Sequence, residues 1–356
     1  RCSRTSASSP RTSCWTTSEA DVAGPRQADP TSLRKFLFPL LFLGLVFGGY
    51  FRSRGAPTVT PYRGEAMGTT WSVKAWGKDL PDLQVAISST IAGVDSAMST
   101  YKPASDVSRF NVYPATDPFP LSPWTLHVVA ASLDLSERSG GAFDVTVGPL
   151  VGLWGFGAGA REQRPDPEAV EAVVLGWTLL QLGEGTLAKQ DAAVQLDLSA
   201  IAKGFAVDEV AEALERKGVQ SYMVEIGGEV RTAGSKGEDP WRIGIERPQS
   251  GTGQVVQGVL ELQGALATSG DYRNFVEDDQ GRRSHTIDPR TRAPVTHDLA
   301  SVSVRHELCM MADGWATALN VLGPEEGLRV ADEEGLAVLM LVRTKEGFEE
   351  RTSKAW

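Results

Sequence analysis

From Pro57 onward, short β-branched runs and helix-like stretches follow one another without the strand–helix–strand rhythm that a parallel sheet requires, and this irregular interleaving most narrows the possible folds. Strand-like runs occupy residues 69–75, 194–198, 222–226, 242–245, 255–262, 301–304 and 336–342. Three helices are marked by their ends. Ser122-Pro123 supplies a cap and a first-turn proline for a helix that Gly140-Gly141 stops. A second runs from about Ala202 to Lys217, with Phe205, Val207, Val210, Ala211 and Leu214 on one side and Gly218 behind it. A third begins near Met311 and runs through Leu322. The pattern predicts an α+β fold with largely antiparallel sheets and packed helices.

With 41% hydrophobic residues over 356, the chain can bury a sizeable core, which argues against disorder, collagen-like repeats and coiled coil. The first 33 residues differ: rich in Ser, Thr, Arg and Pro, they read as a disordered leader. Residues 34–55 follow, with Arg34-Lys35, an apolar run from Phe36 to Phe51, and Arg52 and Arg54. Basic flanks around a short apolar run are the pattern of a signal peptide or signal anchor, here without a cysteine for lipid attachment. A globular domain then spans 57–356. Residues 1–55 hold 8 Lys+Arg against 3 acids, so the formal charge of −10 combines a basic leader with a remainder at −15. Such a balance disfavours nucleic acid as a partner, and the basic approach to the apolar run places the domain outside the membrane it anchors to. Cys2, Cys14 and Cys309 match no disulfide, zinc or redox pattern.

No G-x-S-x-G, P-loop, H-E-x-x-H, C-x-x-C or dinucleotide fingerprint is present. Three polar clusters remain. In Asp197-Leu198-Ser199-Ala200-Ile201-Ala202-Lys203-Gly204, Asp197 leaves a strand and Lys203 enters the next helix, whose N–H groups can face an anion; a plain helix cap with a solvated lysine is the other reading. Asp313 and Thr317 lie one helical turn apart and can meet one hard cation, which suits magnesium completed by waters and substrate phosphates; a helix-start Asp and a packed Thr are the alternative. His285, three residues before Asp288, has the arrangement of a general base and its orienter, or of a structural hydrogen-bonding histidine.

Taken together, from about Glu65 to the end, these clusters and the segments around them resemble the FAD:protein FMN transferase family, also called the ApbE family. The resemblance rests on Ala66-Met67-Gly68-Thr69, Met98-Ser99-Thr100-Tyr101, Ser108-Arg109-Phe110-Asn111, Gly141-Ala142-Phe143-Asp144-Val145-Thr146 and Trp154-Gly155-Phe156-Gly157. It continues through residues 197–204, Ile226-Gly227-Gly228-Glu229, Thr268-Ser269-Gly270-Asp271-Tyr272, His285-Thr286-Ile287-Asp288-Pro289 and Asp313 to Thr317. It implies a T-fold-like catalytic domain behind an N-terminal membrane segment. The implied reaction is Mg²⁺-dependent cleavage of FAD, with FMN passed to a Thr or Ser hydroxyl of an acceptor flavoprotein as a phosphoester and AMP released. A magnesium-dependent FAD pyrophosphatase and a non-catalytic flavin carrier are the alternatives.

Carried over by position, Met67, Tyr101, Ala142, Phe143, Asp144, Asp197, Lys203 and Ile287 contact FAD, with Tyr101 and Phe143 able to stack on its rings. Ala200 (through its carbonyl), Asp313 and Thr317 hold magnesium, and His285 takes the acceptor proton. Arg292 stands where the family usually has glycine. The acceptor implied is a membrane redox protein, and the location an inner-membrane anchor facing the periplasm or another extracytoplasmic space.

Overall fold

A computed structural model describes residues 58–77, 80–156, 164–248, 256–270, 275–278 and 281–356. The leader and the apolar segment lie outside the described residues. Eight strands, β1 (Thr58–Ala66), β2 (Thr69–Gly77), β3 (Tyr222–Ile226), β4 (Glu229–Ala233), β5 (Gly264–Gly270), β6 (Leu299–His306), β7 (Ala337–Thr344) and β8 (Gly347–Thr352), form one sheet whose spatial order is the chain order. Every neighbouring pair is antiparallel. The sheet is therefore a meander interrupted by long insertions, and those insertions carry the helices and the site.

Alternation along the strands sorts side chains to two covered faces. Val73, Val224, Ile226, Ala265, Val302, Val304, Val338 and Met340 join the main core beneath the helices α1 (Leu83–Met98), α2 (Pro123–Arg138), α3 (Ala202–Arg216) and α4 (Cys309–Glu333). Val230, Leu266, Leu339 and Leu341 face the other way, onto Ile243 and Ile245 of a ribbon formed by Arg242–Glu246 and Val256–Glu261. A one-residue slip of register would exchange these two sets, so the pairing is strongly specified.

Helix α2 begins as its sequence indicates, with Pro123 in the first turn and Ser122 Oγ accepting from Thr125 N–H at 3.3 Å. Helices α3 and α4 start differently. Their N-caps, Ile201 and Leu308, provide no side-chain acceptor, although a helix start leaves four N–H groups without intrahelical partners. Each is served by the other helix. Asp208 of α3 accepts from Cys309 N–H at 3.0 Å and Met310 N–H at 2.9 Å, while its Oδ1 also pairs with Arg231 of β4 at 2.6 Å. Asp313 of α4 returns the contact by accepting from Gly204 N–H at 2.9 Å. The exchange requires backbones in contact: a Cβ on Gly204 would collide with the Cys309 carbonyl, so only glycine fits that crossing.

Helix α4 breaks at Gly323, whose φ of 78° is left-handed, and Pro324 then restarts it as far as Glu333. Proline has no N–H to give the Asn320 carbonyl four residues back. His297 supplies it: Nδ1 accepts from Leu299 N–H at 3.3 Å, which leaves Nε2–H to donate to Asn320 O at 2.8 Å.

One strand expectation fails. Residues 194–198 are extended but form no ladder. Their backbone is satisfied by side chains and a loop instead. Asn111 accepts from Leu196 N–H at 2.6 Å and donates to Leu196 O at 2.9 Å, Lys189 Nζ donates to Val194 O at 3.1 Å, and Asp197 N–H donates to Val145 O at 2.7 Å. Among the described residues no helix is long and apolar enough to cross a membrane.

Two consequences are measurable by urea unfolding. Asp208→Ala orphans two buried N–H groups and a guanidinium together, and stability should fall by about 3–5 kcal/mol; a loss under about 1 kcal/mol would contradict the capping role. His297→Ala should cost about 1–3 kcal/mol, because the Asn320 carbonyl loses its donor. An unchanged midpoint would show that the break in α4 does not depend on His297.

Candidate active site

The insertions meet around a cavity of about 830 Å³. Its walls are the β3–β4 turn, the start of α3, the first half of α4, residues 142–151, the end of β5, residues 285–289 and the inner strand of the ribbon, Arg242–Glu246. Ten of the residues singled out from sequence line it: Ala142, Phe143, Asp144, Asp197, Ala200, Lys203, His285, Ile287, Asp313 and Thr317. Met67 and Tyr101 are not among the lining residues. Met67 occupies the β1–β2 turn with a left-handed φ of 53° and packs against the main core. Tyr101 follows α1 and is 69% exposed.

The charged centre is a lysine between two buried carboxylates. Lys203 Nζ lies 2.7 Å from Glu229 Oε1 and 3.5 Å from Asp313 Oδ1. Burial opposes the ammonium, but the two carboxylates more than offset it and the Lys203 pKa is raised. Burial, with Asp313 adding to it, pushes Glu229 up to about 8 against the pull of Lys203. Asp313 is raised by burial, opposed by Lys203 and by the Gly204 N–H. Glu229 Oε2 is buried and has no hydrogen-bond partner among the described residues. With both carboxylates ionised, one ammonium leaves the centre short of positive charge, a state that a bound cation would favour.

That deficit and the donor set around it fit a hard divalent cation. Gly204, in the first turn of α3, gives its N–H to Asp313 and not to the Ala200 carbonyl four residues back, which lies before the cap. Ala200, Asp313 and, one turn later, Thr317 all line the cavity. Among the described residues no group of three or more His, Cys, Asp or Glu forms a metal cluster, so a cation held here would complete its shell with water or substrate oxygens. The start of α3 is thus not an open anion cradle: Gly204 N–H serves Asp313, and Ala202 and Phe205 N–H serve Leu198 and Ile201 carbonyls.

Other expected contacts are already partly engaged. Asp144 Oδ1 accepts from Thr146 N–H at 2.8 Å and Thr146 Oγ1 at 2.6 Å, and its Oδ2 accepts from Trp177 N–H at 3.0 Å. Burial raises its pKa and these bonds oppose the shift. Its main work is to join residues 144–146 to 176–177. Phe143 is 2% exposed, so its ring belongs to the core and offers no open stacking face. Asp197 is half-buried and turns Oδ1 back to Ser199 N–H at 2.9 Å.

His285 follows the short strand Gly281–Ser284 and meets the Phe156 ring edge-on, with centroids 6.2 Å apart. Its neighbour Thr286 accepts from Asn320 Nδ2 at 3.0 Å, linking the histidine segment to α4. Asp288, the expected orienter, is engaged by Arg290, whose Nε and Nη2 reach its two carboxylate oxygens at 3.0 and 2.9 Å.

Glu229 stood in the sequence only as part of the Ile226–Glu229 motif, with no role assigned, and the ribbon wall was not singled out at all. For Glu229 a signal existed, a carboxylate directly after a two-glycine turn between strands; for the ribbon there was none, since Arg242–Glu246 reads as an ordinary strand.

Comparison with known proteins agrees with this geometry. A model of the ApbE family matches residues 67–340. An FAD:protein FMN transferase of Vibrio cholerae is 43% identical over 301 residues, covering 82% of this chain and 90% of its own length. One from Escherichia coli K12 is 38% identical over 304 residues, covering 82% and 86%. Among solved structures, the flavin transferase ApbE from Vibrio cholerae superposes with a TM-score of 0.78 at 42% identity, covering 84% of this chain and 98% of that one. The apo flavinyl transferase ApbE of Pseudomonas stutzeri gives 0.78 at 41%, covering 84% and 96%. With the family model spanning most of the sequence and the fold shared along nearly the full length of those structures, the chain belongs to the ApbE family.

Proposed function

We propose that this chain is an FAD:protein FMN transferase that moves FMN from FAD to a Thr or Ser hydroxyl of an acceptor flavoprotein and releases AMP. The observation that carries the reading is the buried Lys203–Glu229–Asp313 centre, with Ala200 and Thr317 beside it, at the wall of a cavity large enough for a dinucleotide. The likeness to FAD:protein FMN transferases supports it.

Phosphoryl-type transfer asks the protein chiefly for positioning and charge neutralisation. Asp313, Thr317 and the Ala200 carbonyl would hold Mg²⁺, which supplies Lewis-acid neutralisation of pyrophosphate oxygens. Lys203 adds a fixed positive charge, its ammonium kept protonated by the two carboxylates. The acceptor hydroxyl oxygen bonds to the FMN phosphorus. The bond from that phosphorus to the bridging oxygen breaks, and the oxygen departs with AMP. His285, on a loop fastened to α4 through Thr286 and Asn320, takes the hydroxyl proton. Water in place of the acceptor would give FMN and AMP, so the acceptor's occupancy of the cavity mouth decides between transfer and hydrolysis. An extracytoplasmic location, with a membrane redox protein as acceptor, is supported by the basic-flanked apolar run at residues 34–55.

Incubation with FAD, Mg²⁺ and a domain bearing a flavinylation site should add one FMN mass to a Thr or Ser and form AMP in equal amount. AMP with free FMN and an unlabelled acceptor would contradict transfer, and no AMP at all would contradict catalysis. Thr317→Val keeps the shape of the side chain and removes one metal oxygen. It should raise the Mg²⁺ concentration for half-maximal rate by roughly tenfold or more with little change in thermal midpoint; an unchanged Mg²⁺ dependence would remove Thr317 from the site.

A further inference from the structure

The segment that presents His285 is not built into the main core. Ile287 packs instead with Leu150 and Val170 in a small separate cluster bordered by Trp154 and Val173. Where His285 sits therefore depends on how residues 283–295 are fastened to residues 147–175.

Arg292 makes most of the contacts between these two segments, beside Arg283 Nη1 on the Trp154 carbonyl at 3.4 Å and the Thr286–Asn320 bond to α4. The Arg292 φ of 60° is left-handed, a conformation that costs a non-glycine residue on the order of 1 kcal/mol and persists only where the surroundings impose it. Its N–H donates to the Asp288 carbonyl at 2.8 Å, closing the loop on itself. Its carbonyl accepts from the Trp154 indole N–H at 2.9 Å. Its guanidinium Nη1 reaches the Val173 carbonyl at 2.9 Å, the Val170 carbonyl at 3.1 Å and the Glu171 carbonyl at 3.4 Å. These acceptors cluster at the carbonyl end of the short helix Pro167–Glu171, where the ladder ends and the Val170 carbonyl also accepts from Val173 N–H at 3.3 Å. One residue thus binds the histidine loop to the opposite segment through both its backbone and its side chain. A glycine here would relax the backbone and lose every guanidinium contact.

We infer that Arg292 is a positioning residue for transfer: its guanidinium pins the loop bearing His285 to the carbonyl end of the helix Pro167–Glu171 and so holds the histidine against the cavity. The kinetic consequence rests on the proposed transferase activity; the pinning itself does not. Arg292→Gly isolates the guanidinium, because glycine accepts the same backbone conformation without strain. Arg292→Lys keeps the charge and part of the donor capacity but loses the planar fork.

The test uses the full chain and reads two quantities, steady-state transfer from FAD to an acceptor domain and hydrogen exchange of the amides at residues 284–288. For Arg292→Gly, kcat should fall on the order of tenfold to a hundredfold, with KM for FAD within about threefold of wild type. Exchange at residues 284–288 should quicken by a comparable factor, while the amides of Cys309 and Met310 keep their protection. Arg292→Lys should recover part of the lost kcat. Unchanged kcat, unchanged exchange at 284–288, or a parallel loss of FAD binding and of protection throughout the chain each overturns the inference. Should the wild-type protein transfer no FMN, the functional reading fails by itself, and the exchange measurement alone decides whether Arg292 pins the loop.

Discussion

The structure turns on an exchange of caps between two helices. Neither α3 nor α4 provides an acceptor for its own first N–H groups, and each receives a carboxylate from the other: Asp208 for α4, Asp313 for α3. The exchange works only at backbone contact, which Gly204 permits, and it locks the two helices in one relative position. A carboxylate at a helix start is favoured by the local dipole as well as by the hydrogen bonds. Asp208 is held further by Arg231 from β4, so the pair is also registered against the sheet.

The same exchange builds the reactive centre. By capping α3, Asp313 is brought into the charged group with Lys203 and Glu229. The domain beyond residue 55 carries a formal charge of −15, yet its proposed substrate is a dinucleotide anion. The proposed resolution is local: one buried ammonium, with a divalent cation if held as proposed, would provide the positive charge that the overall composition lacks.

Much of this was legible in sequence, in proportion to how local its causes are. The antiparallel α+β class followed from irregular interleaving, the start of α2 from Ser122-Pro123, and the first half of α4 was expected from near Met311 through Leu322. Most residues of the cavity wall were recognisable because their motifs lie at element boundaries. What failed depended on distant partners. Residues 194–198 have strand-like composition, but the amide of Asn111, 85 positions from Leu196, takes the place of a neighbouring strand. Helix α1 was missed: its Ser88 and Thr90 hydroxyls bond back to carbonyls four residues earlier, and such polar residues interrupt the apolar stripe. Asp208 looks like any polar residue on a helix until Cys309 and Met310 arrive from a hundred residues away. Asp144 and Phe143 do line the cavity, but one is bonded to Thr146 and Trp177 and the other is sunk in the core.

The central claim is that the capped pair of helices creates the place where a divalent cation and the FAD pyrophosphate meet. A crystal structure with FAD and Mn²⁺ in place of Mg²⁺, read through the anomalous signal of manganese, tests it most directly. An anomalous peak is expected within coordination distance of Asp313, Thr317 and the Ala200 carbonyl, with the pyrophosphate beside both the peak and Lys203. Manganese bound elsewhere, or FAD seated with its pyrophosphate away from Lys203, would contradict it.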